Sequence, residues 1–114
     1  MTRIRLLALP DGRLCGFEVT GHAGAGAYGQ DIVCAAVSFL ATTCANALEG
    51  VAGAKPEAEA REGCLRAVVA GENLNVKAQA ILETFRQGAL DLVKNYPRHV
   101  RLQMAHHQKE RKPC

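Results

Sequence analysis

The chain has 114 residues, a net charge of +3 and a hydrophobic fraction of 48%. This length is typical of a single domain, and the apolar content is sufficient for one compact core. The small net charge and the 4% aromatic content give no sign of an extended nucleic-acid surface. Because no uninterrupted apolar run approaches the roughly 18 residues of a membrane span, we expect an intracellular protein without a membrane partner.

The first elements along the chain are a pair of strands and a loop. Residues 2–9 and 13–20 alternate apolar and polar side chains, as strands do. The Pro-Asp-Gly turn between them predicts an antiparallel hairpin. Residues 21–30 contain four glycines and no core pattern, which indicates a loop.

Two helices are predicted from apolar side chains that recur at helical spacing. The first runs from Asp31, which is a typical N-cap residue, to Gly50 or Gly53, either of which is a typical stop. The second runs from about Asn73 to Asn95 and keeps its apolar rhythm almost without a break.

The remaining segments predict three more strands. Residues 57–61 and 64–70 form a second hairpin, and residues 98–105 alternate as a final strand. The order β-β-α-β-β-α-β predicts an α+β fold, with a mostly antiparallel sheet packed with two helices. We expect one domain over residues 1–106, followed by a basic, frayed tail over 107–114.

Chemistry is concentrated in one short segment, where His22 ends the second strand and Cys34 follows the start of the first helix. With Asp31 as the N-cap, Cys34 falls in the first helical turn, where unpaired N–H groups and the helix dipole favour an anionic thiolate. His22 could ion-pair with that thiolate and protonate a leaving amine. The plainer alternatives are a buried helical cysteine and a surface histidine at a strand edge.

Other residues of this segment have two interpretations each. Asp31 caps the helix or orients His22, and Ser38, one turn after Cys34, contacts the site or does nothing. The loop 23–30 is a flap over a bound peptide or a plain flexible connection. The candidate substrate-contacting residues of the loop and its base are Gly21, Ala23, Gly24, Gly26, Tyr28 and Gly29.

Two further functions compete with nucleophilic catalysis. The basic tail and the arginines near the last strand suggest a non-catalytic ribosome-associated or RNA-binding module, but no aromatic platform for base stacking accompanies them. A redox pair of Cys34 with Cys44 is excluded by about 15 Å of helix between them, whereas Cys64 is not excluded. No histidine has cysteine or acidic partners at metal-ligand spacing, so we expect neither a metal nor a cofactor.

The segment "GHAGAGAYGQDIVCAAVS", residues 21–38, resembles the signature of the bacterial ribosomal-processing cysteine protease family (Prp, or YsxB-like). The resemblance implies that His22 and Cys34 are the catalytic pair, that Asp31 and Ser38 match further family positions, and that no specific nucleic acid is bound. This chain departs from the family in one respect. The family's loops often carry an aromatic residue soon after the Gly-His-Ala motif, whereas here Ala25 follows Gly24.

The resemblance also implies a task for the enzyme. Proteins of this family are small, cytoplasmic and commonly homodimeric, and their substrate is the N-terminal segment of a large-subunit ribosomal protein. They remove a short N-terminal extension from it, cutting after an aromatic residue. In this chain the nearest loop aromatic is Tyr28, so the residues that contact the substrate are expected to differ from the family's pattern.

Overall fold

The computed structural model describes residues 1–21 and 28–107, with residues 28–31 described by their backbone alone. It contains five strands and two long helices within these ranges. A short 3-10 turn, Gly71–Asn73, precedes the second helix. In chain order the elements are β1 (Thr2–Ala8), β2 (Leu14–Thr20), α1 (Tyr28–Gly50), β3 (Glu57–Arg61), β4 (Cys64–Val68), α2 (Val76–Asn95) and β5 (Val100–His106).

The strands form one mixed sheet in the order β3-β4-β2-β1-β5. Three neighbouring pairs are antiparallel, and β1 with β5 is the parallel pair. The predicted α+β class, the element order and the mostly antiparallel sheet are therefore confirmed. β1 is a central strand, and it joins the beginning of the chain to the last strand.

Both helices pack on one face of this sheet. The rings of Phe17 on β2 and Phe85 on α2 stack with their centroids 4.0 Å apart and their planes 10° from parallel. Such aromatic pairs add about 0.5–1.5 kcal/mol beyond the area that they bury. The largest fully buried side chains are Phe17, Phe85, Ile4, Leu6, Leu7, Leu48, Leu82, Val19, Val33, Val37, Val69 and Val100.

Gly88 lets the two helices approach each other. A Cβ atom placed on Gly88 of α2 would lie 2.8 Å and 3.0 Å from the two terminal methyl groups of Leu40 on α1. A glycine inside a helix costs about 1 kcal/mol relative to alanine. A side chain at this position would require Leu40 to move.

The second helix begins later than predicted. Asn75 is its N-cap residue, and the side-chain oxygen of Asn75 accepts a 2.8 Å hydrogen bond from the backbone N–H of Ala78. The predicted start near Asn73 instead lies in the 3-10 turn Gly71–Asn73. Asn73 and Asn75 are both suitable N-cap residues in the sequence. Because Asn73 lies in the 3-10 turn, Asn75 caps the helix.

One segment of α1, Ile32–Gly50, is long and apolar enough to cross a membrane by length and composition. Isolated polar residues interrupt its apolar side chains, so the sequence shows no continuous apolar run here. Core helices satisfy the same criteria, so the finding is weak support for a membrane role. Five side chains of this segment pack into the core: Val33, Val37, Ala41, Cys44 and Leu48.

Candidate active site

Cys34 lies on α1 with its side chain partly exposed. Because α1 begins at Tyr28, the prediction that Asp31 is the N-cap residue is wrong: Asp31 is in the first helical turn and Cys34 in the second. An acidic residue is favoured both as an N-cap and within the first turn, so one sequence pattern fits both positions. The unpaired N–H groups of the helix belong to the turn that precedes Cys34.

This shift changes which groups can stabilise charge near the thiol. The backbone N–H of a second-turn residue is already bonded within a helix, so that of Cys34 is not available for an oxyanion. Helical side chains lean toward the N-terminus of their helix. A side chain at the position of Cys34 is therefore expected to lean toward the first turn, whose N–H groups have no partner within the helix.

The first residue of β1 contacts this thiol. Thr2 is completely buried, and its Oγ1 lies 3.9 Å from Sγ of Cys34. Either atom can donate in such a contact, because a hydroxyl and a thiol both carry a hydrogen. Thr2 is not among the residues predicted from sequence, although a hydroxyl on the same strand face as the apolar residues Ile4 and Leu6 is a visible signal.

The end of β2 lies at the same end of the sheet. Gly21 has a φ of +75°, and a Cβ atom placed on it would lie 2.5 Å from the carbonyl oxygen of Met1. Its N–H donates a 3.1 Å hydrogen bond to the carbonyl of Gly63. Gly21 therefore packs against the residue that precedes Thr2, and the chain continues from there directly to His22. His22 itself lies outside the described residues.

The other candidate residues of this segment fall into three groups. Ala23, Gly24 and Gly26 lie outside the described residues. Tyr28 and Gly29 belong to the first turn of α1, so the prediction that residues 21–30 form one loop is wrong at its C-terminal end. Ser38 is partly buried on α1, one turn beyond Cys34.

Three of the thiols differ in their exposure. Cys15 and Cys44 are buried, whereas Cys34 is partly exposed. Burial raises the pKa of the Cys15 thiol to about 11, and burial also raises the pKa of Cys44. A high pKa keeps a thiol protonated and inert. Of these three thiols, Cys34 is the one that a substrate can reach.

A charged cluster occupies the opposite face of the sheet. Glu18 lies 3.1 Å from Arg5 and 3.4 Å from Arg66, at paired positions of three neighbouring strands. The side chains of Glu18 and Arg66 are largely buried, with 8% and 10% of their surface exposed. This cluster lies on the face of the sheet away from the helices and does not face Cys34.

No group of three or more His, Cys, Asp or Glu side chains that could hold a metal ion occurs within residues 1–21 and 32–107. His107, which directly follows β5, has a lowered pKa because of partial burial and the nearby guanidinium of Arg66. His99 accepts a backbone hydrogen bond from Thr2 through its carbonyl oxygen.

Comparison with solved structures identifies close structural relatives. SMU.848 from Streptococcus mutans superposes with a TM-score of 0.84 at 31% identity, over 94% of this chain and 99% of that chain. The essential ribosomal processing protease Prp from S. aureus, in complex with a substrate peptide, superposes with a TM-score of 0.84 at 26% identity, over 92% of this chain and all of that one. The same protease with a covalently linked product peptide gives a TM-score of 0.80. A search of curated proteins finds no significant match.

A small α+β domain with a reachable thiol at one end of its sheet has the features of a cysteine peptidase. The family model described as cysteine protease Prp matches residues 1–101. The chain belongs to this family of cysteine proteases. Family membership makes the protein an enzyme and removes the support for a non-catalytic RNA-binding module.

Proposed function

We propose that this protein is a cysteine endopeptidase that removes a short N-terminal extension from a large-subunit ribosomal protein. Family membership and the S. aureus relative, a ribosomal processing protease with a substrate peptide bound, support the reaction and the kind of substrate. The observation that carries the proposal is the convergence of Gly21, Thr2 and Cys34 at one end of the sheet. Gly21, the residue before His22, therefore lies next to Met1, the residue before Thr2.

The proposed nucleophile is the thiolate of Cys34. Its sulfur attacks the scissile carbonyl carbon, and a tetrahedral oxyanion forms. Collapse of this intermediate breaks the C–N bond, and His22 gives its proton to the departing amine. The peptide fragment that carries the carbonyl stays bound to the sulfur as a thioester.

Hydrolysis of the thioester completes the cycle. His22 removes a proton from a water molecule, which attacks the thioester carbonyl and releases a carboxylic acid and the thiolate. The covalently linked product peptide in the S. aureus relative supports a covalent route. First-turn N–H groups of α1 are the proposed oxyanion donors, because helix N-termini leave such groups unpaired. Asp31 and Ser38 are proposed as supporting residues, and closure of loop 23–30 over the peptide stays a prediction.

The protein is further proposed to act as a homodimer in the cytoplasm. The family resemblance supports both statements. Phe39 on α1 is 74% exposed, and large exposed apolar side chains are typical of interfaces between subunits. Sedimentation equilibrium at micromolar concentration is the test, and a constant monomer mass of 12.2 kDa would contradict the dimer.

The test of the proposed function is cleavage of a synthetic peptide that spans the N-terminal segment of the host's ribosomal protein. Mass spectrometry of the products identifies the bond that is cut. We expect Cys34→Ala and His22→Ala to abolish cleavage, whereas Cys44→Ala, a matched change of a buried thiol on the same helix, retains it. Cleavage by Cys34→Ala at the wild-type rate would refute the assignment of the nucleophile.

A further inference from the structure

We infer that Thr2 is a positioning residue for Cys34: its hydroxyl orients Sγ and stabilises the thiolate. The inference rests on the proposed function, in which Cys34 is the nucleophile. It begins from the 3.9 Å separation of Thr2 Oγ1 and Cys34 Sγ. Thr2 lies on β1, far from α1 in the sequence, so this contact depends on the tertiary fold.

The other side chains on the same face of β1 as Thr2 are apolar. Alternate side chains of β1 face the helices, and the next three, Ile4, Leu6 and Ala8, belong to the core. A buried hydroxyl without a partner costs about 1–3 kcal/mol. Valine has nearly the same shape, so a comparison with valine isolates the contribution of the hydroxyl of Thr2.

The backbone around Thr2 is held from both sides. The N–H of Thr2 donates a 2.9 Å hydrogen bond to the carbonyl of His99, and Thr2 is paired with Val100 of β5. On the other side, the carbonyl of Met1 packs against Gly21. These contacts limit the directions in which the Thr2 side chain can point, because χ1 of a β-branched residue has few allowed values.

The chemistry of the contact favours one ionisation state of the sulfur. A hydroxyl that donates to a charged acceptor makes a stronger hydrogen bond than one that donates to a neutral group. Donation from Thr2 Oγ1 to the sulfur therefore stabilises the thiolate more than the thiol. The same bond holds Sγ in one rotamer, which sets the line of attack on a carbonyl.

The experiment compares two pairs of variants that differ by the hydroxyl. Wild type and Thr2→Val share the branched shape, and Thr2→Ser and Thr2→Ala share the smaller one. The rate of Cys34 alkylation by iodoacetamide is measured from pH 5 to pH 10 for each protein, followed by kcat/KM for the peptide over the same range. Thr20→Val is the control, since it removes a hydroxyl at the same end of the sheet but on the opposite face.

We expect Thr2→Val and Thr2→Ala to alkylate about 3- to 10-fold more slowly at pH 7, with the midpoint of the pH profile moved upward. Thr2→Ser and Thr20→Val should retain the wild-type profile. Equal profiles for the serine and alanine variants would overturn the inference, even if Thr2→Val failed to fold. If alkylation depends on the hydroxyl but wild type does not cleave the peptide, the proposed function fails and the role of Thr2 stands.

Discussion

Replacement of Gly21 by alanine tests whether the close packing of the end of β2 against the start of β1 positions the residues beside the thiol. Gly21 has a φ of +75°, in the left-handed region, and its missing side chain leaves room for the carbonyl of Met1. Gly21→Ala adds a methyl group that violates both conditions. The substitution strains the backbone immediately before His22 and pushes on the residue bonded to Thr2.

The magnitude follows from these two effects. A residue with a Cβ atom in the left-handed region costs about 1–2 kcal/mol relative to glycine. The 2.5 Å approach of the new Cβ to the Met1 oxygen forces a backbone shift, which brings the expected loss to about 2–4 kcal/mol. For a chain of this length, Tm changes by about 4 °C per kcal/mol, so we expect Tm to fall by about 8–16 °C.

Gly12 offers a matched control. Its φ is +91°, and a Cβ atom placed on it meets nothing within 4 Å. Gly12→Ala therefore has the same type of backbone strain without the steric clash, and we expect Tm to fall by about 4–8 °C. Thermal unfolding is followed by circular dichroism, and peptide cleavage is measured well below both transitions.

Activity separates the two variants further. We expect Gly12→Ala to cleave at the wild-type rate, and Gly21→Ala to lose about tenfold or more in kcat/KM, because small displacements of catalytic groups have large effects on rate. Equal losses of stability in the two variants, together with wild-type cleavage by Gly21→Ala, would refute the argument that this glycine positions the site.

Three other substitutions test the packing, the buried charges and the thiols. Gly88→Ala should lower the free energy of unfolding by about 1 kcal/mol, because overpacking against Leu40 outweighs the gain of about 1 kcal/mol in helix propensity. Glu18→Gln should lower it by about 3 kcal/mol in urea unfolding, because Arg66 would stay buried without its counter-charge. Burial raises the pKa of Cys15 to about 11, so its contribution to stability is complete below about pH 9 and is lost as the pH rises toward 11. Cys15→Ala should therefore show a smaller decline in stability between pH 9 and 11 than wild type.

Each of these predictions has a control or a contradicting result. A rise in stability for Gly88→Ala would show that Leu40 moves aside freely. Asp11→Asn breaks an exposed pair with Arg13 and should leave stability nearly unchanged, so an equally small effect of Glu18→Gln would contradict the role given to burial. Parallel stability curves for Cys15→Ala and wild type above pH 9 would contradict the role of the buried thiol.

The element order was predictable from sequence because hairpin turns and apolar periodicity are local signals. The position of the first helix start was not, because an aspartate favours both the N-cap and the first turn. Parallel pairing of β5 with β1 joins distant parts of the chain and leaves no local trace. The same holds for the contact of Thr2 with Cys34, which exists only once both elements pack.

The burial of the charged residues Glu18 and Arg66 could not be predicted from sequence. Glu18 and Arg66 alternate with apolar residues as solvent-exposed positions do, yet both are buried beside each other. Their burial follows from lateral neighbours on three strands, which a single strand's pattern does not contain. The family motif singled out Cys34 from sequence, whereas the burial of Cys15 and Cys44 is visible only in the folded chain.

The parallel pairing of β1 with β5 has a consequence for the timing of activity. The N–H of Thr2 donates a hydrogen bond to the carbonyl of His99, and β1 pairs with β5. The position of Thr2 beside Cys34 therefore depends on both the first strand and the last. Synthesis delivers these two strands at opposite times, and pairings between remote segments are slow to form. In the role proposed for Thr2, a chain still emerging from the ribosome lacks the pairing that holds Thr2 beside Cys34, and the contact forms once β5 has been synthesised.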